Sequence, residues 1–211
     1  MFKKLLAVTL ISSMLILPVS SVGPVNPAEA SAPGAVQDYL PGDVPAETDV
    51  MESMSPALHA LVLAMLNHDV KHFDLENSSL TWEGLYNMLS LYGQMDTRSV
   101  TEQGELFLPE ETVRDYTSAL ALSFEELGAP PAAIRDRLNY DNVSRCYVVV
   151  CGEDDLAQVR IDSLRPSGQG CAVTGALVYE VENQVLTRFQ ATLQPQDNMF
   201  GYTVTQITIT G

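Results

Sequence analysis

His68 and His72 are the residues of this 211-residue chain whose types and spacing come nearest to a metal site. On a helix, two imidazoles at this spacing lie one turn apart and can share an ion. Asp69, Asp74 and Glu76 follow nearby. The glutamate of the His-Glu-x-x-His pattern is missing, however, and polar residues at a helix end explain the same letters. We therefore expect no metal and no other cofactor, with His68 and His72 as the metal candidates to check.

The cysteines Cys146, Cys151 and Cys171 are predicted to be free and mostly buried. The first two stand on one predicted strand, where a rise of ~3.3 Å per residue separates them by roughly 16 Å, against a limit of about 7 Å between bridged Cα atoms. The predicted strand register places Cys171 opposite neither of them. A catalytic thiol needs an activating base, and every histidine lies far upstream, so we expect the thiols to act as small apolar groups.

The sequence carries no pattern of a known enzyme class. It lacks Gly-x-Ser-x-Gly, Ser-x-x-Lys, a phosphate-binding glycine loop and a dinucleotide fingerprint. The adjacent acidic residues at 110–111, 125–126 and 153–155 fall at predicted helix ends and in a turn, where solvated carboxylates are the common outcome. No catalytic residue is therefore predicted, and an enzyme would need a constellation that only folding brings together.

A second candidate site is the loop that carries Met199, Phe200 and Tyr202. Two aromatic rings and a methionine form an apolar patch, and an exposed apolar patch is typical of an interaction site. The alternative is that these side chains fold over the edge of the sheet. We treat the three residues as a candidate interaction loop.

Residues 1–30 have the pattern of a secretory signal peptide. Lys3 and Lys4 precede an apolar stretch from Leu5 to Val19 that is too short for a membrane anchor, and Ala28-Glu29-Ala30 is a small-x-small cleavage site. We expect cleavage before Ser31 and secretion to the extracellular space or the cell envelope, with no membrane attachment afterwards.

The expected mature chain is strongly acidic. Removing two of the 11 basic and one of the 27 acidic residues leaves 9 against 26, a net charge of −17. Such a charge works against binding to nucleic acid and to anionic membranes, and the sequence shows no basic cluster that would offset it. Residues 31–54, rich in Ala, Pro and Gly, are predicted to be a flexible leader before a single domain at 55–211.

The domain is predicted to contain helices over 55–138 and strands over 144–211. Ser55 and Pro56 would open the first helix, and Thr81 would cap the second. In the last third of the chain, apolar and polar residues alternate with a period of two, as in half-buried antiparallel strands. The predicted fold class is α+β, with three N-terminal helices packed on a C-terminal five-stranded antiparallel meander.

The main hairpin of the meander is predicted to turn at Asn183 in the left-handed conformation and to set Leu177 opposite Phe189. A change of parity further on predicts a bulge near Thr205. The side of the sheet expected to be sealed by the helices carries Val173, Leu177, Phe189 and Leu193.

Three short patterns carry a family resemblance: Trp82-x-x-Leu-Tyr, then Leu108-Pro109-x-x-x-Val113-x-x-Tyr116, then a hairpin that closes on Asn198-Met199-Phe200-Gly201-Tyr202-x-Val204. The run from Leu80 to Thr208 resembles uncharacterised secreted proteins of anaerobic Gram-positive bacteria, loosely similar to NTF2-like and cystatin-like α+β folds. The resemblance implies a fold and no functional residues, because NTF2-like folds host both enzymes and binding proteins.

Two functions are consistent with these observations. We favour a secreted, non-catalytic binding module at the cell envelope, which recognises a protein or small-molecule ligand through the sheet face, the 196–202 loop or a pocket between the layers. The alternative is a secreted hydrolase-like enzyme with a pocket between helices and sheet.

Overall fold

The computed structural model of the protein describes residues 47–74, 76–152 and 156–210. The predicted signal segment and most of the predicted leader lie outside the described residues. The described part is α+β, as predicted. Its elements in chain order are α1 (Glu47–Asn67), α2 (Ser78–Tyr92), β1 (Val100–Glu102), β2 (Glu105–Pro109), α3 (Glu110–Ala119), α4 (Ala132–Arg135), β3 (Leu138–Asp141), β4 (Cys146–Val150), β5 (Ala157–Ser167), β6 (Gly170–Tyr179), β7 (Gln184–Pro195) and β8 (Tyr202–Ile209).

The described strands form two antiparallel sheets, which corrects the predicted five-stranded meander. The larger sheet has the order β5-β6-β7-β8, and the smaller one has the order β1-β2-β4-β3. Strand β4, predicted to open the meander, pairs with β2 and β3. The prediction failed because β2 is a short apolar strand, Leu106-Phe107-Leu108, within a stretch that is otherwise polar.

The larger sheet follows the predicted alternation, with a different register at one hairpin. Asn183 has a positive φ of 50°, as expected. Leu177 pairs with Thr187, however, and Phe189 pairs with Gly175. The register shifts near the turn because β7 contains an additional residue there. The predicted bulge is confirmed, since the β7–β8 register shifts by one residue at Thr205.

Gly175 is required by the ring that crosses it. A Cβ built at this position would lie 2.7 Å from Cζ of Phe189 and 2.6 Å from the carbonyl oxygen of Arg160. Because neither distance leaves room for a methyl group, the phenyl ring can lie flat against β6 only where the side chain is a hydrogen.

Helix α1 begins at Glu47, rather than at Ser55 as predicted, and Pro56 lies inside it. The hydroxyl of Ser55 donates to the carbonyl oxygen of Met51 at 2.7 Å, so it bonds within the helix instead of capping it. The preceding turns form because they carry buried side chains: Val50 is 3% exposed and Met54 is 0% exposed. Their apolar contacts outweigh the cost of a proline in the helix.

The N-terminal cap of α2 differs from the prediction. Asn77, and not Thr81, caps α2, with its Oδ1 accepting from the backbone N–H of Leu80 at 3.2 Å. Helix α2 ends at Tyr92, immediately before Gly93. Helix α3 stops at Ala119, where Ala121 adopts a positive φ of 57°.

The helices lie between the two sheets. Helix α1 contacts β5, β6 and β8 of the larger sheet and packs on α2, while α2 and α3 contact β4 of the smaller sheet. Helix α1 is accordingly buried nearly all round, as expected for a helix with apolar contacts on every side. The four residues predicted to face the helices from the larger sheet are buried: Val173, Leu177, Phe189 and Leu193. Each sheet therefore has one sealed face and one face turned to solvent.

Candidate binding surface

The outer face of the larger sheet carries side chains that differ from the rest of this acidic chain. We call it the arginine face; it is the solvent side of β5–β8 and is marked by Arg160, Arg165, Thr174, Arg188, Gln190 and Gln206. Its polar residues alternate with buried or half-buried ones along the strands, as the two-residue period of a strand requires. The face is therefore made of the residues at strand positions whose side chains point away from the core.

Arg160 and Arg188 stand on either side of Ala176, because Arg160 pairs with Ala176 across β5–β6 and Ala176 pairs with Arg188 across β6–β7. Asp162, the additional residue of a bulge in β5, accepts a hydrogen bond from each guanidinium at 3.3 Å. The arginine side chains remain 51% and 56% exposed. A guanidinium has five N–H donors, so both arginines keep donors directed to solvent.

Two further rows of polar residues cross the same face. Ser163, Thr174, Gln190 and Thr208 pair in sequence across the four strands, and the hydroxyls of Ser163 and Thr174 are 2.8 Å apart. In the next row, Arg165 pairs with Ala172, Ala172 pairs with Thr192, and Thr192 pairs with Gln206. The two end residues, Arg165 and Gln206, are exposed. The middle of the face thus carries amide and hydroxyl groups, with arginines on either side and small residues along β6.

Shallow hollows lie along this face. One of about 190 Å³ is lined by Thr174, Gln190, Thr192, Gln206 and Thr208. A second, of about 380 Å³, shares Gln206 and Thr208 and extends past the sheet edge to His72. A third, of about 530 Å³, is lined by Arg160 and neighbouring residues at the opposite edge. The arginine face therefore offers concave sites on both sides of its polar centre.

The arginine face is locally basic in a chain of net charge −16. The four strands that build it contain one acidic residue, Asp162, of the 27 in the sequence. Glu180, in the turn after β6, lines the hollow beside Arg160. The sequence shows no basic cluster because Arg160 and Arg188 lie on different strands. The strand register brings them together.

The outer face of the smaller sheet is apolar instead. Val100, Phe107 and Val148 pair in a row across β1, β2 and β4, and Val150 lies on the same side beside Glu105. Val100 is 53% exposed and Val150 is 40% exposed. We call Val100, Phe107, Val148 and Val150 the apolar face. It is small, and nothing in its contacts indicates what would cover it.

Arg98, in the loop before the smaller sheet, is committed to ion pairs. Arg98 donates to both carboxylate oxygens of Asp96 and to Asp115 at 2.6 Å, which ties the loop before β1 to α3. The guanidinium of Arg98 holds the pKa of the buried Asp96 carboxyl below its ordinary value. The same pairing raises the pKa of Arg98. This arginine is a structural crosslink.

The two metal candidates are not brought together. Helix α1 ends at Asn67, so His68 and His72 do not share a helix face. His72 instead bridges to β8, with its Nδ1 3.1 Å from Oγ1 of Thr208. Among the described residues, no group of three or more His, Cys, Asp or Glu side chains is placed to hold a metal ion.

The candidate interaction loop is mostly folded into the core. Phe200 is 8% exposed and stacks edge-on against Tyr116 with ring centroids 5.2 Å apart, and Tyr202 is 7% exposed. Only Met199 of the three is exposed, at 52%. The loop therefore contributes one apolar side chain to the surface, and its aromatic residues stabilise the fold.

The cysteines lie in both sheets, and all are half-buried. Cys146 and Cys151 are free thiols at the two ends of β4. Cys171 begins the apolar alternation of β6 and packs at the edge of the core. Their partial exposure is greater than predicted.

The enzyme alternative places a pocket between helices and sheet. Two side chains of the larger sheet's inner face, Leu177 and Phe189, are at most 1% exposed. A cavity of about 330 Å³ lies elsewhere, between the start of α2 and the segment after α3. Its carboxylates, Glu76 and Glu126, are exposed to solvent. Such an open site does not exclude water as catalysis usually requires.

Within the described ranges, no helix is both long enough and apolar enough to cross a bilayer. Comparison with known protein families finds no family that matches this chain, and comparison with curated proteins finds no match either.

Proposed function

We propose that the protein is a secreted, non-catalytic binding module that acts at the cell envelope through its arginine face. The proposal combines the N-terminal export pattern with a solvent-facing sheet surface whose donors are not used up by the fold. An antiparallel sheet sealed by helices on one side is a rigid support for such a surface.

One observation carries the proposal: Arg160 and Arg188 share a single carboxylate, Asp162, at 3.3 Å each. Exposed ion pairs of this kind contribute about 0–1 kcal/mol to stability, so the fold does not depend on them. Two arginines held side by side with spare donors are suited to recognition, because the guanidinium binds planar anionic groups through two parallel hydrogen bonds.

The test compares two double variants that change the net charge equally. Arg160→Gln/Arg188→Gln removes the pair on the arginine face, and Arg135→Gln/Arg145→Gln removes two exposed arginines elsewhere. Retention of each purified protein on a sedimented envelope fraction of the producing organism is measured against the wild type. We expect at least a tenfold loss for the first variant and less than a twofold change for the second.

Equal losses in the two variants, or none in either, would overturn the assignment of the arginine face. Export has its own test, since the protein recovered from the culture medium should begin at Ser31. A protein that stays in the cell and still begins at Met1 would contradict the proposal that it acts at the cell envelope.

A further inference from the structure

We infer that the ligand of the arginine face is an oligosaccharide with isolated carboxylate groups, that is, a chain of neutral and acidic sugar residues. The inference rests on the proposed function and specifies its ligand. It draws on the arginine pair, on the amide and hydroxyl rows beside it, on the charge of the whole chain and on the state of the sheet edges.

The carboxylate is matched by the arginines. Arg160 and Arg188 each give one hydrogen bond to Asp162, and their side chains stay more than half exposed. A planar carboxylate accepts two parallel N–H bonds from one guanidinium. Arg165, in the row across the face, is a third exposed guanidinium for an acidic group further along the ligand.

The hydroxyl groups of a sugar are matched by the polar centre of the face. Gln190, Gln206 and Thr208 present amide and hydroxyl groups, which both donate and accept hydrogen bonds. The hollow that they line, of about 190 Å³, is open to water. The hydroxyl groups of a sugar can replace the hydrogen bonds that such water makes.

The charge of the chain argues against a dense polyanion. The net charge of −16 repels an approaching anion, and the repulsion grows with each charge that the ligand carries. Screening limits the reach of separate charges to about 8 Å at physiological salt. A ligand with one carboxylate every few sugar rings thus meets the local arginines while avoiding most of the long-range repulsion.

The sheet edges argue against an acidic peptide. An extended peptide gains affinity by pairing its backbone with a free strand edge. The edge of β8 is already paired with residues 71–73, through Phe73 N–H to Ile207 O at 3.2 Å and Ile209 N–H to Lys71 O at 2.9 Å. Strand β5, at the other edge, carries the Asp162 bulge and Pro166, which interrupt pairing.

The test uses two trisaccharide probes that differ only at C6 of the middle ring: a mono-uronate probe, galactose-galacturonate-galactose, and the corresponding neutral galactose trisaccharide. Binding to the purified protein is followed by calorimetry and by amide chemical shifts. We expect at least tenfold tighter binding of the mono-uronate probe than of the neutral probe. Arg160→Gln/Arg188→Gln should abolish the difference between the probes, whereas Arg135→Gln/Arg145→Gln should retain it.

A second variant checks the hydroxyl contacts. Gln190→Ala/Gln206→Ala leaves the arginines in place and should weaken both probes by a similar factor of about three to ten, as expected for one or two lost hydrogen bonds. Equal affinity for the two probes, no binding of either, or tighter binding of tri-glutamate or polyphosphate than of the mono-uronate probe would overturn the inference. If envelope retention still depends on Arg160 and Arg188 in that case, the proposed function stands and only the ligand class is wrong.

Discussion

The two sheets of this protein share one construction and present opposite surfaces. Each has an inner face buried against the helices, yet the larger sheet shows arginines and amides to solvent and the smaller one shows valines and a phenylalanine. Arg98, near the smaller sheet, is held by two carboxylates, those of Asp96 and Asp115. Arg160 and Arg188 of the larger sheet share the single carboxylate of Asp162. Arg98 thus stabilises the fold, whereas Arg160 and Arg188 keep donors available for binding.

The comparison also separates stability from recognition. Inner positions are fixed by burial, so their substitution should lower the free energy of unfolding. Outer positions of the larger sheet make few contacts within the chain, so their substitution should leave stability nearly unchanged and alter binding. The following variants test that division, from the largest expected effect to the smallest.

The sharpest contrast is between neighbours in β7. Phe189→Ala empties a site that is 1% exposed and should cost about 3–5 kcal/mol, as large-to-small core substitutions do. Gln190→Ala, on the exposed side, should stay within about 0.5 kcal/mol of wild type. Urea unfolding followed by circular dichroism measures both. A similar cost for the two would mean that the outer face is part of the core.

The structural arginine is tested through its partner. Asp96→Asn keeps the shape of the side chain and removes the charge that faces Arg98, which should cost about 1–3 kcal/mol. Because the pKa of Asp96 is lowered in the folded state, the carboxylate stabilises the fold at all pH values above its ordinary pKa of 3.8. That stabilisation is lost as the pH falls through the lowered folded value.

The wild type should therefore exceed Asp96→Asn in unfolding free energy at neutral pH, and the two should converge in strong acid. The measurement is urea unfolding at a series of pH values between about 7 and 2. A gap that persists or widens as the pH falls would contradict the ion-pair account.

Strand β4 allows the same contrast within the smaller sheet. Val149→Thr places a hydroxyl at a position that is 0% exposed and should cost about 1–3 kcal/mol. Val148→Thr, on the half-exposed apolar face, should cost less than about 0.5 kcal/mol. Thermal unfolding of both variants measures the two losses of stability. Equal costs would show that the apolar face is covered in solution.

The smallest effect on stability is expected on the arginine face. Arg160→Gln/Arg188→Gln removes two exposed ion pairs with Asp162 and should change the unfolding free energy by no more than about 1 kcal/mol. Its effect on envelope retention should nevertheless be at least tenfold. A destabilisation of several kcal/mol would place these arginines in the same structural class as Arg98.

The sequence allowed the sealed half of the larger sheet to be predicted and left the smaller sheet undetected. Val173, Leu177 and Leu193 were recognisable because β6 and β7 alternate over many residues. Strand β1 spans Val100–Glu102 only, too few residues for a period to appear. Strand β4 was recognised but given the wrong partners, because apolar residues on both sides do not specify a neighbour.

The binding surface was missed for a different reason. Arg160 and Arg188 lie on different strands, and the two-residue period shows only that each faces solvent. Their proximity depends on the register that places Ala176 between them. The bulge that directs Asp162 toward both is likewise a property of the paired strands. Local patterns therefore predicted which residues are exposed, and tertiary pairing decides which of them act together.

The most direct test of the account is a map of amide chemical shifts on the isotope-labelled protein as the mono-uronate trisaccharide is added. We expect the largest shifts across the middle of the larger sheet, at Thr174, Arg188 and Gln190, with the smaller sheet unchanged. Shifts centred on Phe107 and Val148, or on the cavity beside Glu126, would contradict the claim that the arginine face is where this protein binds.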